Sequence, residues 1–151
     1  MIIRRYTPAD IEEIAELFYN SVHSLAVNDY TPEQLDAWAD GSCNLVKWNE
    51  DFCRLYTLVA DENGIIVGFA NMDENGYLDM LYIHKNYAKK GIATALCTAL
   101  ESNIRSPKYT VYASKTAKGF FEKMGYTAVR ENTVIRHNVK INNYFMIKES
   151  V

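Results

Sequence analysis

Residues Ala88 to Thr94 read AKKGIAT and place two lysines and a glycine between an apolar strand-like run and an apolar helix-like run. Where a strand turns into a helix, up to four backbone N–H groups lack intrahelical partners, and the aligned peptide dipoles add about half a positive charge. That end suits phosphate. Gly91 lets the backbone approach a diphosphate closely, Ala93 keeps the second position small, and Thr94 can donate a hydroxyl. The same stretch also reads as an ordinary turn with solvated lysines, and it is not a P-loop, because no G-x-x-x-x-G-K-S/T occurs. Asp79 is the second chemical candidate, the one charge in the apolar run GYLDMLYIH. A carboxylate there is a base, a substrate anchor, or the mark of an exposed strand end. Asp73 and Glu74 read as loop charges.

Other chemistries are disfavoured. Cys43, Cys53 and Cys97 are odd in number and lack C-x-x-C spacing, so they read as reduced, mostly buried thiols. His84 and His137 look like strand-end residues, and with no third ligand at suitable spacing no metal is assigned. A formal net charge of -3 argues against a nucleic-acid partner, which would call for a strongly basic face. The N-terminal MIIRRYTPADIEEI lacks the apolar core of a signal peptide, and no long apolar run suggests a membrane partner. A cytoplasmic protein is expected.

The elements that must position these residues follow from pattern. IIRRY, Ile2 to Tyr6, reads as a strand, and Thr7, Pro8 and Asp10 form a helix start close to a capping box. Ile11, Ile14, Ala15, Phe18, Val22 and Leu25 then recur at helical spacing. Thr31, Pro32 and Gln34 repeat the start signal for a second short helix carrying Leu35 and Trp38 inward. From Phe52 the pattern turns β-rich, with CRLYTLVAD and IIVGFANMD joined by a hairpin signal at Asn63-Gly64. GYLDMLYIH predicts a central strand covered on both sides. A helix after Lys90, a strand KYTVYAS, a helix KTAKGFFEKMG and a final antiparallel pair complete residues 1–151 as one domain. The order is strand, two helices, three strands, helix, strand, helix, two strands. It predicts an α/β (α+β) fold, an antiparallel meander feeding a central β-α-β unit rather than an alternating Rossmann chain.

Taken together, LYIHKNY followed by AKKGIA resembles motif A of the GNAT superfamily of N-acetyltransferases, Q/R-x-x-G-x-G/A after a strand. ASKTAKGFFEKMGY, Ala113 to Tyr126, looks like that family's motif B, and the element order matches nearly the whole chain. YTPEQLDAWA, the motif B segment and NNYFMIKE are similar to the YafP-like branch in particular. The resemblance implies a mostly antiparallel sheet with helices on both faces and acetyl-CoA as cofactor. Main-chain groups of Leu81, Tyr82 and Ile83 would pair with the pantetheine arm, and Lys89, Lys90, Gly91, Ile92, Ala93 and Thr94 would cradle the diphosphate. Ser114, Ala117 and Phe120 would lie beside the cofactor arm, with Lys123 near a phosphate. His23, Tyr30 and Trp38 fall on segments that border the acceptor cleft in relatives.

The chain departs from the pattern twice. Ala88 occupies the usual Gln/Arg position, which removes one side-chain contact, and Phe121 replaces the Tyr that many relatives use to protonate the departing thiolate. A phenyl ring donates no proton. Either the acid is dispensable, since free thiols have a pKa of about 8.5, or another hydroxyl such as Tyr144, Tyr112 or Ser114 takes its place, Tyr144 being preferred. The expected function is acetyl transfer from acetyl-CoA to a primary amine of a small molecule or peptide, directly in a ternary complex. Asp79 would be the base, and the protein a monomer or homodimer. The alternative is a non-catalytic acyl-CoA-binding module.

Overall fold

Thr7 and Asp10 start the first helical segment, though as a 3-10 turn (Pro8–Asp10) that leads directly into α1 (Ile11–Leu25). The computed structural model describes residues 1–150. Around that start run β1 (Ile2–Arg5), α2 (Pro32–Trp38), α3 (Leu45–Arg54), β2 (Tyr56–Glu62), β3 (Ile65–Met72) and β4 (Tyr77–Ile83). Next come α4 (Ile92–Asn103), β5 (Lys108–Ser114), α5 (Lys115–Lys123), β6 (Thr127–Arg136) and β7 (Val139–Glu149). The strands form one seven-stranded sheet in the order β1-β2-β3-β4-β5-β7-β6. Every neighbouring pair is antiparallel except β4 and β5, which are parallel and joined through α4. The expected mixed fold is present, with helices on both faces. Among the described residues no helix is long and apolar enough to cross a membrane.

The sheet separates two cores. On one face Ile14 and Phe18 of α1 and Phe52 of α3 pack against Val59 and Phe69. On the other, Leu96 and Leu100 of α4 and Phe121 of α5 pack against Val67, Met72 and Met146.

One helix was not expected. Leu45–Arg54 forms α3, which takes Cys53 and Arg54 out of the predicted strand and moves the start of β2 to Tyr56. Asn44 caps it by accepting from the Lys47 N–H at 3.1 Å, and Trp48 and Phe52, four residues apart, share its inward face. The change also exposes Cys53 and leaves Cys43 half-buried, so Cys97 is the one buried thiol. The two start signals act differently. At Thr31 the capping box is complete: Thr31 Oγ1 accepts from Gln34 N (3.1 Å) and Gln34 Oε1 from Thr31 N (2.9 Å). At Asp10 the carboxylate accepts from the Thr7 N–H at 2.9 Å, and it also takes both arms of the Arg4 guanidinium at 2.9 Å. Arg4 in turn reaches Asp61 at 3.1 Å, so one cation ties β1, β2 and the helix start together.

Two positions carry an energetic constraint. Burial pushes the Asp10 carboxyl up, but hydrogen bonds from Arg4 and Thr7 outweigh it and hold the group below the ordinary carboxylate value. A carboxylate depressed in the folded state stabilises above its unfolded pKa and loses that contribution as pH falls through the folded one. Gly68 on β3 has no Cβ because α4 lies on it: an added Cβ would come within 2.9 Å of Ile92, 3.1 Å of Ile83 and 3.2 Å of Leu96.

In urea titrations, Asp10→Asn is expected to be less stable than wild type by about 1–3 kcal/mol at pH 7, the range for hydrogen bonds to charged groups. The deficit should narrow as pH falls below about 4 and the wild-type carboxylate protonates. Gly68→Val should lower stability by about 1–3 kcal/mol through overpacking beneath α4, and a midpoint equal to wild type would show that α4 does not rest on that position.

Candidate active site

The parallel pair at the centre of the sheet is short. β4 and β5 are in register only at Tyr77↔Thr110 and Leu78↔Val111. Beyond that, β4 follows β3 as far as Ile83, while β5 follows β7 as far as Ser114. The break coincides with a bulge: Met72 pairs with Leu78 and Asn71 with Met80, which leaves Asp79 as an extra residue. A bulge bends and twists its strand and interrupts the alternation of side chains. Thus Leu78 lies in the core beneath α4, whereas Asp79 lines a cleft on the other face together with Met80 and Tyr82. Asn71, fully buried, holds the bulge by accepting from the Met80 N–H at 2.9 Å, and its own Nδ2 is buried without a partner.

The strand's free edge follows from hydrogen bonds on its paired edge. Met80 N–H and His84 N–H both point to β3, the latter donating to Val67 O at 2.8 Å. Alternation turns the main chain of Tyr82 the same way and directs Leu81 and Ile83 into the splay. Of the expected backbone trio, Tyr82 is therefore the exception, and it contributes its ring to the cleft instead.

At the far end of the splay lies the start of α4. Gly91 is its N-cap in the left-handed region (φ 81), no side chain caps it, and a Cβ built there would meet nothing within 4 Å. Lys89 is also left-handed (φ 60). The first intrahelical bond runs from Ala95 N to Gly91 O, so the amides of Ile92, Ala93 and Thr94 precede it. Ile92 is buried and anchors the turn, while Lys89, Lys90, Gly91 and Thr94 are exposed. Lys90 Nζ lies 5.2 Å over the Tyr87 ring. Open space before Gly91, uncapped amides and two nearby cations fit a diphosphate.

The cleft has a volume of about 1160 Å³ and is walled by α1, the α2–α3 segment, β4, β5 and the β6–β7 hairpin. Trp38, Tyr30 and Ser114 line it with Asp79. Asp79 is exposed but lines the concavity. Desolvation, then repulsion from Asp51, raises its pKa, against the pull of Arg54 and Arg136. Ser114 Oγ caps α5 by accepting from Ala117 N at 3.1 Å. Tyr30 joins three segments, donating to Asn142 O at 2.7 Å and accepting from Lys115 N at 2.9 Å. Beside it Thr116 donates to Asp29 at 2.8 Å.

Two expected residues lie elsewhere. His23 does not line the cleft: its Nε2 meets Ala39 O at 2.7 Å and its ring stacks on Tyr19 at 4.2 Å, bracing the segment that carries Trp38. Tyr144 is one residue past Asn143, and alternation turns it to the α5 face, with Lys118 5.0 Å over its ring. On α5 itself, Ala117 and Phe120 are half-buried and Lys123 is exposed, whereas Phe121 is 2% exposed and packs edge-on against Tyr126. Asn71, Gly68 and the Tyr82 ring were not anticipated. The polar Asn71 in the apolar run IIVGFANM was the available signal.

Comparison with known proteins agrees with this geometry. Residues 26–148 match the family described as acetyltransferase (GNAT) domain. The uncharacterized N-acetyltransferase YafP of Escherichia coli (strain K12) is 33% identical over 144 residues, which is 95% of this chain and 93% of that protein. The crystal structure of a GCN5-related N-acetyltransferase from Rhodopseudomonas palustris superposes with a TM-score of 0.94 at 34% identity, covering 99% of this chain and 95% of that one. That of the PaiA N-acetyltransferase from Thermoplasma acidophilum, in complex with coenzyme A, shares the fold at a TM-score of 0.81 and 18% identity, covering 99% and 98%. The chain belongs to the GNAT acetyltransferase family and is an acyltransferase.

Proposed function

We propose that this enzyme moves the acetyl group of acetyl-CoA to a primary amine of a small molecule or peptide, by direct transfer in a ternary complex. The observation that carries the reading is the bulge at Asp79. It sets a carboxylate in the cleft at the point where β4 parts from β5, with the uncapped start of α4 at the other end of the gap.

Acetyl-CoA supplies the acetyl group as a reactive thioester. The amides of Gly91, Ile92, Ala93 and Thr94, with Lys89 and Lys90, would hold its diphosphate, and the main chains of Leu81 and Ile83 its pantetheine arm. Ser114, Ala117 and Phe120 would flank that arm, and Lys123 offers an exposed cation to a phosphate. Asp79 accepts the proton of the amine, directly or through a water, and its raised pKa makes it a better base than an ordinary carboxylate. Backbone N–H groups on the free edge of β4 polarise the acetyl carbonyl. A thiol with a pKa of about 8.5 leaves readily as the thiolate, so the departing coenzyme A takes its proton from water without a side-chain acid.

Gly91→Leu should keep the fold, at a cost of about 1–2 kcal/mol for a left-handed residue, and weaken coenzyme A binding at least about tenfold in calorimetry, because the side chain fills the space where backbone meets diphosphate. Unchanged affinity in the folded variant would remove the site from this turn. For Asp79→Asn, steady-state kinetics should show kcat/KM for the amine reduced by about 10²–10⁴ near neutral pH, with little change in KM for acetyl-CoA. The wild-type rate should climb with pH as a carboxylate titrating above the usual 3.8 loses its proton, and this limb should be absent in the variant. An identical ascending limb in both would acquit Asp79 as the base.

A further inference from the structure

The hydroxyl and ring N–H groups at the base of the cleft differ in what they have left to offer. The Tyr30 hydroxyl is engaged on both sides, by Asn142 O and Lys115 N. The Trp38 indole N–H donates to the Tyr82 hydroxyl oxygen at 3.1 Å. Among the described residues, the Tyr82 hydroxyl donates to no group. Its oxygen is occupied from the Trp38 side, so its proton is directed elsewhere, and the residue lines the cleft.

The ring has little freedom. Phe18 meets it edge-on at 4.8 Å and 88°, Phe69 lies 5.7 Å away and Trp38 6.3 Å away. Desolvation pushes the phenol up to about 12, against the hydrogen bond from Trp38, so it stays protonated at neutral pH. It is a fixed donor. Asp79 lines the same cleft, three residues earlier on β4.

We propose that Tyr82 is the specificity-determining residue of the acceptor cleft: its hydroxyl donates to an oxygen that the acceptor carries close to its reacting amine. The site then selects amino amides, amino alcohols and the α-amine of a peptide over plain alkyl or aryl amines. This rests on the acetyl-transfer reading above, with Asp79 at the amine and Tyr82 at the oxygen. A site built around a buried donor discriminates against analogues that leave it unpaired.

The test uses two amines of like size, L-phenylalaninamide, which has the oxygen, and 2-phenylethylamine, which lacks it. Calorimetry on the coenzyme A-loaded protein gives their affinities, and coenzyme A release from acetyl-CoA gives their kcat/KM. Wild type should favour the amide about tenfold, the effect of one good hydrogen bond. Tyr82→Phe should reduce the ratio to within about twofold of one. Trp38→Phe, which leaves the phenol in place but unsteered, should give an intermediate ratio and separate loss of the donor from loss of the fold. Equal affinities in wild type, an undiminished ratio in Tyr82→Phe, or no binding of either amine would overturn the proposal. Failure of coenzyme A itself to bind would instead overturn the cofactor reading beneath it.

Discussion

A single hydrogen bond, from the Met80 N–H to the buried Asn71 side chain, holds the bulge on which the centre of this molecule depends. A regular β4 would keep pairing with β5, its alternation would stay in phase from Tyr77 to Ile83, and no gap would open. The inserted residue does three things at once: it bends β4 away from β5, frees the main chain of Leu81 and Ile83, and puts Met80 and Tyr82 on the cleft face beside Asp79. Those are the requirements of a slot for an extended cofactor arm beside a basic carboxylate. The orphaned Asn71 Nδ2, buried without a partner, is the energetic cost of the device.

The two ends of the slot are fixed by different means. At the α4 end, small size is decisive. Gly68 lets Ile92 and Leu96 settle directly on β3, so the helix start is held rigidly, while Gly91 adopts a left-handed conformation that keeps the space before the amides open. At the cleft end, polar ties matter. Tyr30 bonds β7 and the first residue of α5, and Asp29 bonds Thr116, so the loop after α1 is fastened to the wall that faces β4. Rigid anchoring at both ends favours positioning, the main contribution such a protein makes to group transfer.

Much of this was legible in the sequence because it rests on local rules. AKKGIAT was readable as a strand-to-helix turn, Thr31 and Gln34 as a capping box, and Asn63-Gly64 as a hairpin turn. What was hidden rests on non-local register. Alternation counted along GYLDMLYIH cannot reveal a bulge, because the extra residue exists only relative to β3. For the same reason the face taken by Tyr144 could not be read along the chain, since which face a strand residue takes depends on its partners. The missed α3 is a different failure: its Asn44 cap and the Trp48–Phe52 spacing were present, but polar residues between them masked the period. His23 lay at the boundary of α1, where only the later chain, through Ala39, decides its use.

Phe121 then becomes intelligible as a core residue with a chemical consequence. It is buried against Tyr126, whose hydroxyl donates to Glu101 at 3.1 Å while Lys148 reaches the same carboxylate at 2.7 Å. A hydroxyl on the Phe121 ring would have to find a partner in this dry packing or be buried unsatisfied, so phenylalanine suits the site. A phenylalanine here supplies no side-chain acid to the departing thiolate of the proposed reaction. A thiol near pKa 8.5 leaves readily as thiolate at neutral pH, whereas an alkylammonium near 10 cannot attack until it is deprotonated. In the proposed reaction the heavier demand falls on the amine, and among the described residues Asp79, at the bulge and the mouth of the slot, is the carboxylate whose pKa is raised.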